Sequence, residues 1–109
     1  MKLKKSNIYS AASMPGDGSE FSEILLHHDN FIVERILSKG QVTPTGQWYD
    51  QGNDEWVILL QGEAQLEFSG SEKIILHKGD YLLIPSHTLH RVIYTSSDPG
   101  CIWLTLHSK

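Results

Sequence analysis

The chain has 109 residues, which is room for one domain and one ordinary hydrophobic core. Nine Lys and Arg against thirteen Asp and Glu leave a formal charge of −4, so the basic field that holds nucleic acid or an anionic membrane surface is missing. The single cysteine, Cys101, excludes an intrachain disulfide and suits a reducing compartment, so a cytoplasmic location is expected.

Lys2, Lys4 and Lys5 open the chain, but Ser6, Asn7, Ser10 and Ser13 follow with no apolar stretch behind the charges, so no signal peptide is expected. The longest aliphatic and aromatic run, Trp56 to Leu60, is far too short to span a bilayer. Met14-Pro15-Gly16-Asp17-Gly18 reads as turn and loop. Residues 1–30 are expected to form a lead-in with one short helix. Asp17 or Ser19 would cap it, Phe21, Ile24 and Leu25 fall at i, i+3 and i+4, and His27-His28-Asp29-Asn30 ends it.

Residues 31–109 read as one all-β unit, because glycines punctuate short runs rich in Val, Ile, Leu, Tyr and Trp. The clearest expected hairpin joins Glu55–Leu60 to Glu63–Phe68 through Gln61-Gly62, with glycine supplying a positive φ. Ser69-Gly70-Ser71 turns the chain into Lys73–His77, and Lys78-Gly79-Asp80 leads to Tyr81–Ile84, which Pro85 ends. His90–Thr95 and Cys101–His107 complete the set. Glu55–Leu60 and Tyr81–Ile84 are apolar on both faces, whereas a half-buried strand alternates. A small barrel has one interior, so the second face needs a cover. The cover is either a partner subunit, giving a homodimer, or the first thirty residues folded back.

Chemistry concentrates in two places. In Pro85-Ser86-His87-Thr88-Leu89-His90 the two imidazoles would face opposite ways on a regular strand, but a turn after Pro85 lets them converge. Asp50, Asp54 and Glu55 adjoin the apolar strand from Trp56, where a carboxylate is unfavourable unless paired, hydrogen-bonded or bound to a metal. His107 shares a face of the last strand with Trp103 and Thr105, and either lines a pocket or is a satisfied strand-end histidine. His77 and His27-His28 read as surface residues, and Cys101 as a packing residue. No P-loop, nucleophile elbow, CxxC or dinucleotide fingerprint is present.

Glu55, six residues, then Gly62 resembles the second half of the first cupin motif. Gly79, five residues, Pro85 and then His90 resembles the second motif, in the same order and separation. Trp48-Tyr49-Asp50-Gln51 and Gly79 to Pro85 are also similar to a group of small stand-alone cupins. The resemblance implies a jelly-roll barrel, a double-stranded β-helix, in which Glu55 and His90 are metal ligands on facing strands. The chain departs from the family where its paired histidines should stand. Those positions fall on Trp48 and Asp50, or on Tyr49 and Gln51, depending on loop length, and His87 replaces a glycine of the second motif. The expected ligand set is therefore Glu55 and His90, with His87 compensating for a lost imidazole and Asp50 adding an oxygen. Tyr49, Gln51 and His107 are possible pocket residues. Two imidazoles and one or two carboxylates suit divalent Fe, Mn, Ni or Zn. Two functions stay open: a metal-dependent enzyme acting on a small molecule, with oxygenase-like chemistry among the options, or a non-catalytic module that binds or senses a small ligand.

Overall fold

The computed structural model describes residues 1–10, 16–70 and 72–109 and is all-β, so Met14, Pro15 and Ser71 of the expected turns lie outside the described residues. Eight strands run in order: β1 (Phe21–His27), β2 (Phe31–Ser38), β3 (Glu55–Gln61), β4 (Ala64–Phe68), β5 (Lys73–Leu76), β6 (Tyr81–Ile84), β7 (His90–Thr95) and β8 (Cys101–Ser108). They form a five-stranded sheet, β1-β2-β8-β3-β6, and a three-stranded sheet, β5-β4-β7. No helix long and apolar enough to cross a membrane is present among the described residues.

The core lies between the sheets and is built from Val57 and Leu59 of β3, Ala64 and Leu66 of β4, Leu76, Ile84, and Cys101 and Trp103 of β8. Cys101 is buried there, and its thiol donates to the Glu63 carbonyl at 3.2 Å, as expected of a packing residue. Trp103 donates its indole N–H to Ser38 Oγ at 3.0 Å, so the buried ring leaves no unpaired donor.

Two local expectations are corrected. The segment expected as a helix around Phe21, Ile24 and Leu25 is strand β1, antiparallel to β2 with Phe21 opposite Leu37 and His27 opposite Ile32. Asp17 does bond the following backbone, accepting from Ser19 N at 3.0 Å, but it makes a turn and not a helix cap. An isolated helix of so few residues is marginal, whereas the free edge of β2 offers a full ladder of backbone partners. A register shift between Ile24 and Leu26 absorbs the apolar triplet Ile24-Leu25-Leu26 that suggested helical spacing.

The second correction concerns Gln61-Gly62. Gly62 has φ +90°, as a tight turn requires, but β3 and β4 do not pair with each other. Both edges of β3 are taken, by β6 and β8, so the chain crosses at Gly62 to the other sheet and pairs β4 with β5 and β7. A Cβ at Gly62 would lie 2.7 Å from Ser96 Oγ and 2.9 Å from Cys101 Sγ, so this barrel corner admits only glycine.

Candidate functional site

Strand register decides which side chains enter the space between the sheets. On β3, Glu55 stands opposite Ile84 of β6 and His107 of β8. On β8, Thr105 stands between Val57 of β3 and Glu34 of β2. Glu34, Glu55, Thr105 and His107 therefore share the inner face of the five-stranded sheet, and His90 faces them from the first position of β7.

The long connection between β2 and β3 supplies the remaining wall. Thr43 N donates to the Val92 carbonyl at 2.9 Å. Tyr49 and His90 exchange backbone hydrogen bonds at 2.8 and 3.2 Å, so the connection runs along the edge of β7. Extended backbone alternates its side chains. With Tyr49 turned inward, Gln51 is inward too and Asp50 is outward.

These residues enclose a cavity of about 510 Å³, lined by Tyr49, Gln51, Glu55, His90 and His107 among others. Glu55 and His90 are brought together with 3.7 Å between Oε1 and Nε2. Glu55 Oε2 lies 3.6 Å from His107 Nε2, which is itself 3.5 Å from Glu34 Oε1. The side chains of Glu55 and His90 are only 11% and 6% exposed. Burial pushes the Glu55 carboxyl above its ordinary pKa, His107 and then His90 pull it partly back, and Glu34 adds to the rise.

Asp50 and His87, expected as ligands, are not part of this cluster. Their side chains are 56% and 73% exposed and meet each other at 3.1 Å outside the cavity. The backbone of His87 explains its place in the sequence. It has φ +59° and donates its N–H to the Gln51 carbonyl at 2.6 Å. The turn needs a left-handed residue, which accounts for a glycine at this position in the second cupin motif and leaves the imidazole outside. Glu34 was not anticipated. Its signal is a lone carboxylate between Ile32 and Ile36 on the same face of a strand. His77 is at the surface, near Glu63 and Asp80, as the sequence suggests.

A cupin domain model matches residues 33–107, well over half of the chain and the whole of this site except the segment before β2. The chain is a cupin. A crystal structure from Ralstonia eutropha JMP134, provisionally named a mannose-6-phosphate isomerase, is 34% identical and superimposes with a TM-score of 0.90 over 98% of this chain and 99% of that one. A cupin of the RmlC-like type from Desulfovibrio desulfuricans, 22% identical, matches 97% of each chain with a TM-score of 0.75 and shares the fold. The uncharacterised protein YdbB of Bacillus subtilis is 31% identical over 75 residues, which are 64% of this cupin and 66% of YdbB. This cupin's match therefore spans just under two thirds of that relative's length.

Many cupins hold a divalent metal, so the residues present must be tested against one. Among the described residues no three His, Cys, Asp or Glu side chains stand together as a ready ligand group. Glu55 and His90 nevertheless fit an ion as a pair. His90 Nδ1 lies 2.8 Å from the Thr88 carbonyl, which accepts only, so Nδ1 donates there and Nε2 is the ring nitrogen turned toward Glu55. Such a backbone anchor is the usual companion of a metal-bound imidazole. At 3.7 Å the two groups are too far apart to hydrogen-bond each other, and the gap between them is one a cation could bridge. Gln51 adds a buried Oε1 that has no partner among the described residues. These donors suit a borderline divalent ion with positions left for substrate or water.

Proposed function

We propose that this cupin is a metal-dependent enzyme acting on a small molecule bound in the cavity, with Glu55 and His90 as the protein donors to the ion. The observation that carries this reading is a buried carboxylate and a backbone-anchored imidazole, on opposite sheets, 3.7 Å apart at the wall of a 510 Å³ cavity. Fe, Mn, Ni or Zn would serve, and such an ion, when bound, supplies Lewis-acid polarisation of a substrate oxygen or an activated water.

The chain's own residues then divide the remaining work. The Thr88 carbonyl fixes the His90 tautomer and ring direction. Glu34, held by Ser22 Oγ at 2.8 Å, and Glu55 both face His107 Nε2, at 3.5 and 3.6 Å. His107 lines the cavity and is placed to exchange a proton with a bound molecule. The apolar side chains Val57, Leu66, Ile84 and Val92 line the same cavity beside the polar cluster. We also propose that the protein is a homodimer, on grounds taken up in the Discussion.

Elemental analysis of the untagged protein tests the reading. Close to one equivalent of a transition metal is expected, and Glu55→Ala or His90→Ala should remove most of it, by about ten- to a hundredfold in affinity or more. Full occupancy in both variants would refute the assignment. With metal present, turnover of a small-molecule panel, including oxygen uptake with Fe(II), supports an enzyme. Ligand-induced thermal shifts without any turnover support a binding or sensing module instead.

A further inference from the structure

We infer that the cavity takes an uncharged, hydroxyl-rich small molecule, a free sugar or similar polyol, and discriminates against its phosphate esters. The inference rests on the cavity being the substrate site proposed above and adds the chemical class that the site accepts. Its lining contains three carboxylates, Glu20, Glu34 and Glu55, and two imidazoles, His90 and His107. Among the described residues no Lys or Arg lines it, and the remaining residues, Ala11 to Pro15 and Ser71, include neither type. Helix N-termini, the other usual anion holders, are also lacking among the described residues. A phosphate dianion brought here would lose water and meet like charges.

A second, independent observation shows what the cavity wants. Thr105 is 1% exposed, and its Oγ1 is buried without a partner among the described residues. The buried Oε1 of Gln51 is unpartnered as well, and both residues line the cavity. Native proteins pair nearly all such atoms, with protein, water or ligand. An amide oxygen only accepts, a hydroxyl accepts or donates, and carboxylates only accept. The three carboxylates and the unpartnered Gln51 Oε1 leave several acceptors facing the cavity, and their complement is a molecule presenting several hydroxyl protons. The volume of about 510 Å³ accommodates a molecule of monosaccharide size, and Tyr49 with Val57, Leu66 and Ile84 gives its C–H faces an apolar wall.

Calorimetric titration of the full chain at fixed ionic strength, metal-free and with one equivalent of Mn(II), tests the inference with matched pairs: mannose, glucose, fructose and inositol, each against its monophosphate. At least one neutral member is expected to bind, at least about tenfold more tightly than its phosphate ester. Thr105→Val should weaken that binding by roughly two- to tenfold and Thr105→Ser should retain it. If the valine variant fails to fold, Gln51→Leu is read in the same way. A phosphate ester that binds as well as its neutral parent, a panel with no neutral binder, or unchanged binding in a folded Thr105→Val variant would each overturn the inference. The preference for neutral ligands should appear in both metal states. Failure of metal uptake alone thus sinks the proposed enzyme and not this ligand class, and a reversed preference in the loaded protein sinks only the ligand class.

Discussion

Glu55 is an acid folded into surroundings that disfavour its charge, and the consequence is a signed pH dependence. Burial leads the rise of its pKa above the ordinary 4.5, with His107 and His90 opposing. At a pH between the unfolded and folded values, the folded protein holds more of this proton than the unfolded chain does. The stability it contributes is therefore complete below about 4.5 and is lost as pH rises through the folded value. Thermal melts of chelator-treated protein should show this trend, and Glu55→Gln, which cannot ionise, should flatten it relative to the parent. A divalent ion needs the carboxylate and competes with the proton, so the stabilisation gained on adding metal should grow with pH over the same window. Equal metal-induced shifts at both ends of the window would argue against Glu55 as a donor. His87 makes the opposite case, a residue fixed by its backbone. At φ +59° a β-branched side chain is strained, so His87→Val should cost about 1–2 kcal/mol in denaturant unfolding while His87→Gly is tolerated far better. Neither change should alter metal content, because the imidazole is exposed and pairs with Asp50.

At the scale of elements, the barrel depends on corners where the chain passes from one sheet to the other. Gly62 combines φ +90° with neighbours 2.7 and 2.9 Å from any added Cβ, so Gly62→Ala should destabilise by about 2–4 kcal/mol through backbone strain and overpacking together. Gly70, which also has a positive φ but open space around it, should lose only about 1–2 kcal/mol on the same change, and paired denaturation curves separate the two contributions. The comparison also shows what a sequence makes legible. The resemblance of Glu55 to Gly62, and of Gly79 through Pro85 to His90, to the cupin motifs implies the jelly-roll barrel and the facing pair Glu55–His90, which the structure brings to 3.7 Å. Local periodicity misled at Phe21–His27, because the winning term there was pairing with β2, which no short window contains. Asp50 against Gln51 could not be decided either. The parity of that loop is set by the bridge between Tyr49 and His90, forty-one positions apart in the chain. Glu34 escapes notice and Thr105 reads only as a neighbour of His107 on one strand face, because both sit in no motif and become site residues only when β2 and β8 align.

For the whole molecule the open matter is the outer face of the five-stranded sheet. Alternation puts Trp56 and Ile58 of β3, Tyr81 and Leu83 of β6, and Leu104 and Leu106 of β8 on that side. The N-terminal segment covers a different part of it. Arg35 on β2, paired with Glu23, donates to the carbonyls of Ile8 and Ser10 at 3.0 and 2.9 Å and is itself buried. Tyr81 and Leu83 remain 66% and 57% exposed, with the Tyr81 ring 5.6 Å from that of Trp56. A contiguous aromatic and aliphatic patch of this kind is unfavourable in water unless something covers it. A second copy meeting it about a two-fold axis is self-complementary by construction, because each patch supplies what the other needs. The net charge of −4 is no obstacle, since no acidic side chain stands among those six positions. Light scattering at micromolar concentration should therefore report twice the mass of 12.3 kDa. Leu83→Lys, which places a charge on the exposed β6 side of the patch without touching the cavity, should shift the protein to monomer with metal binding retained. A parent protein that is already monomeric would mean that the patch tolerates solvent, and the double-sided apolar strands β3 and β6 would then need a different physical account.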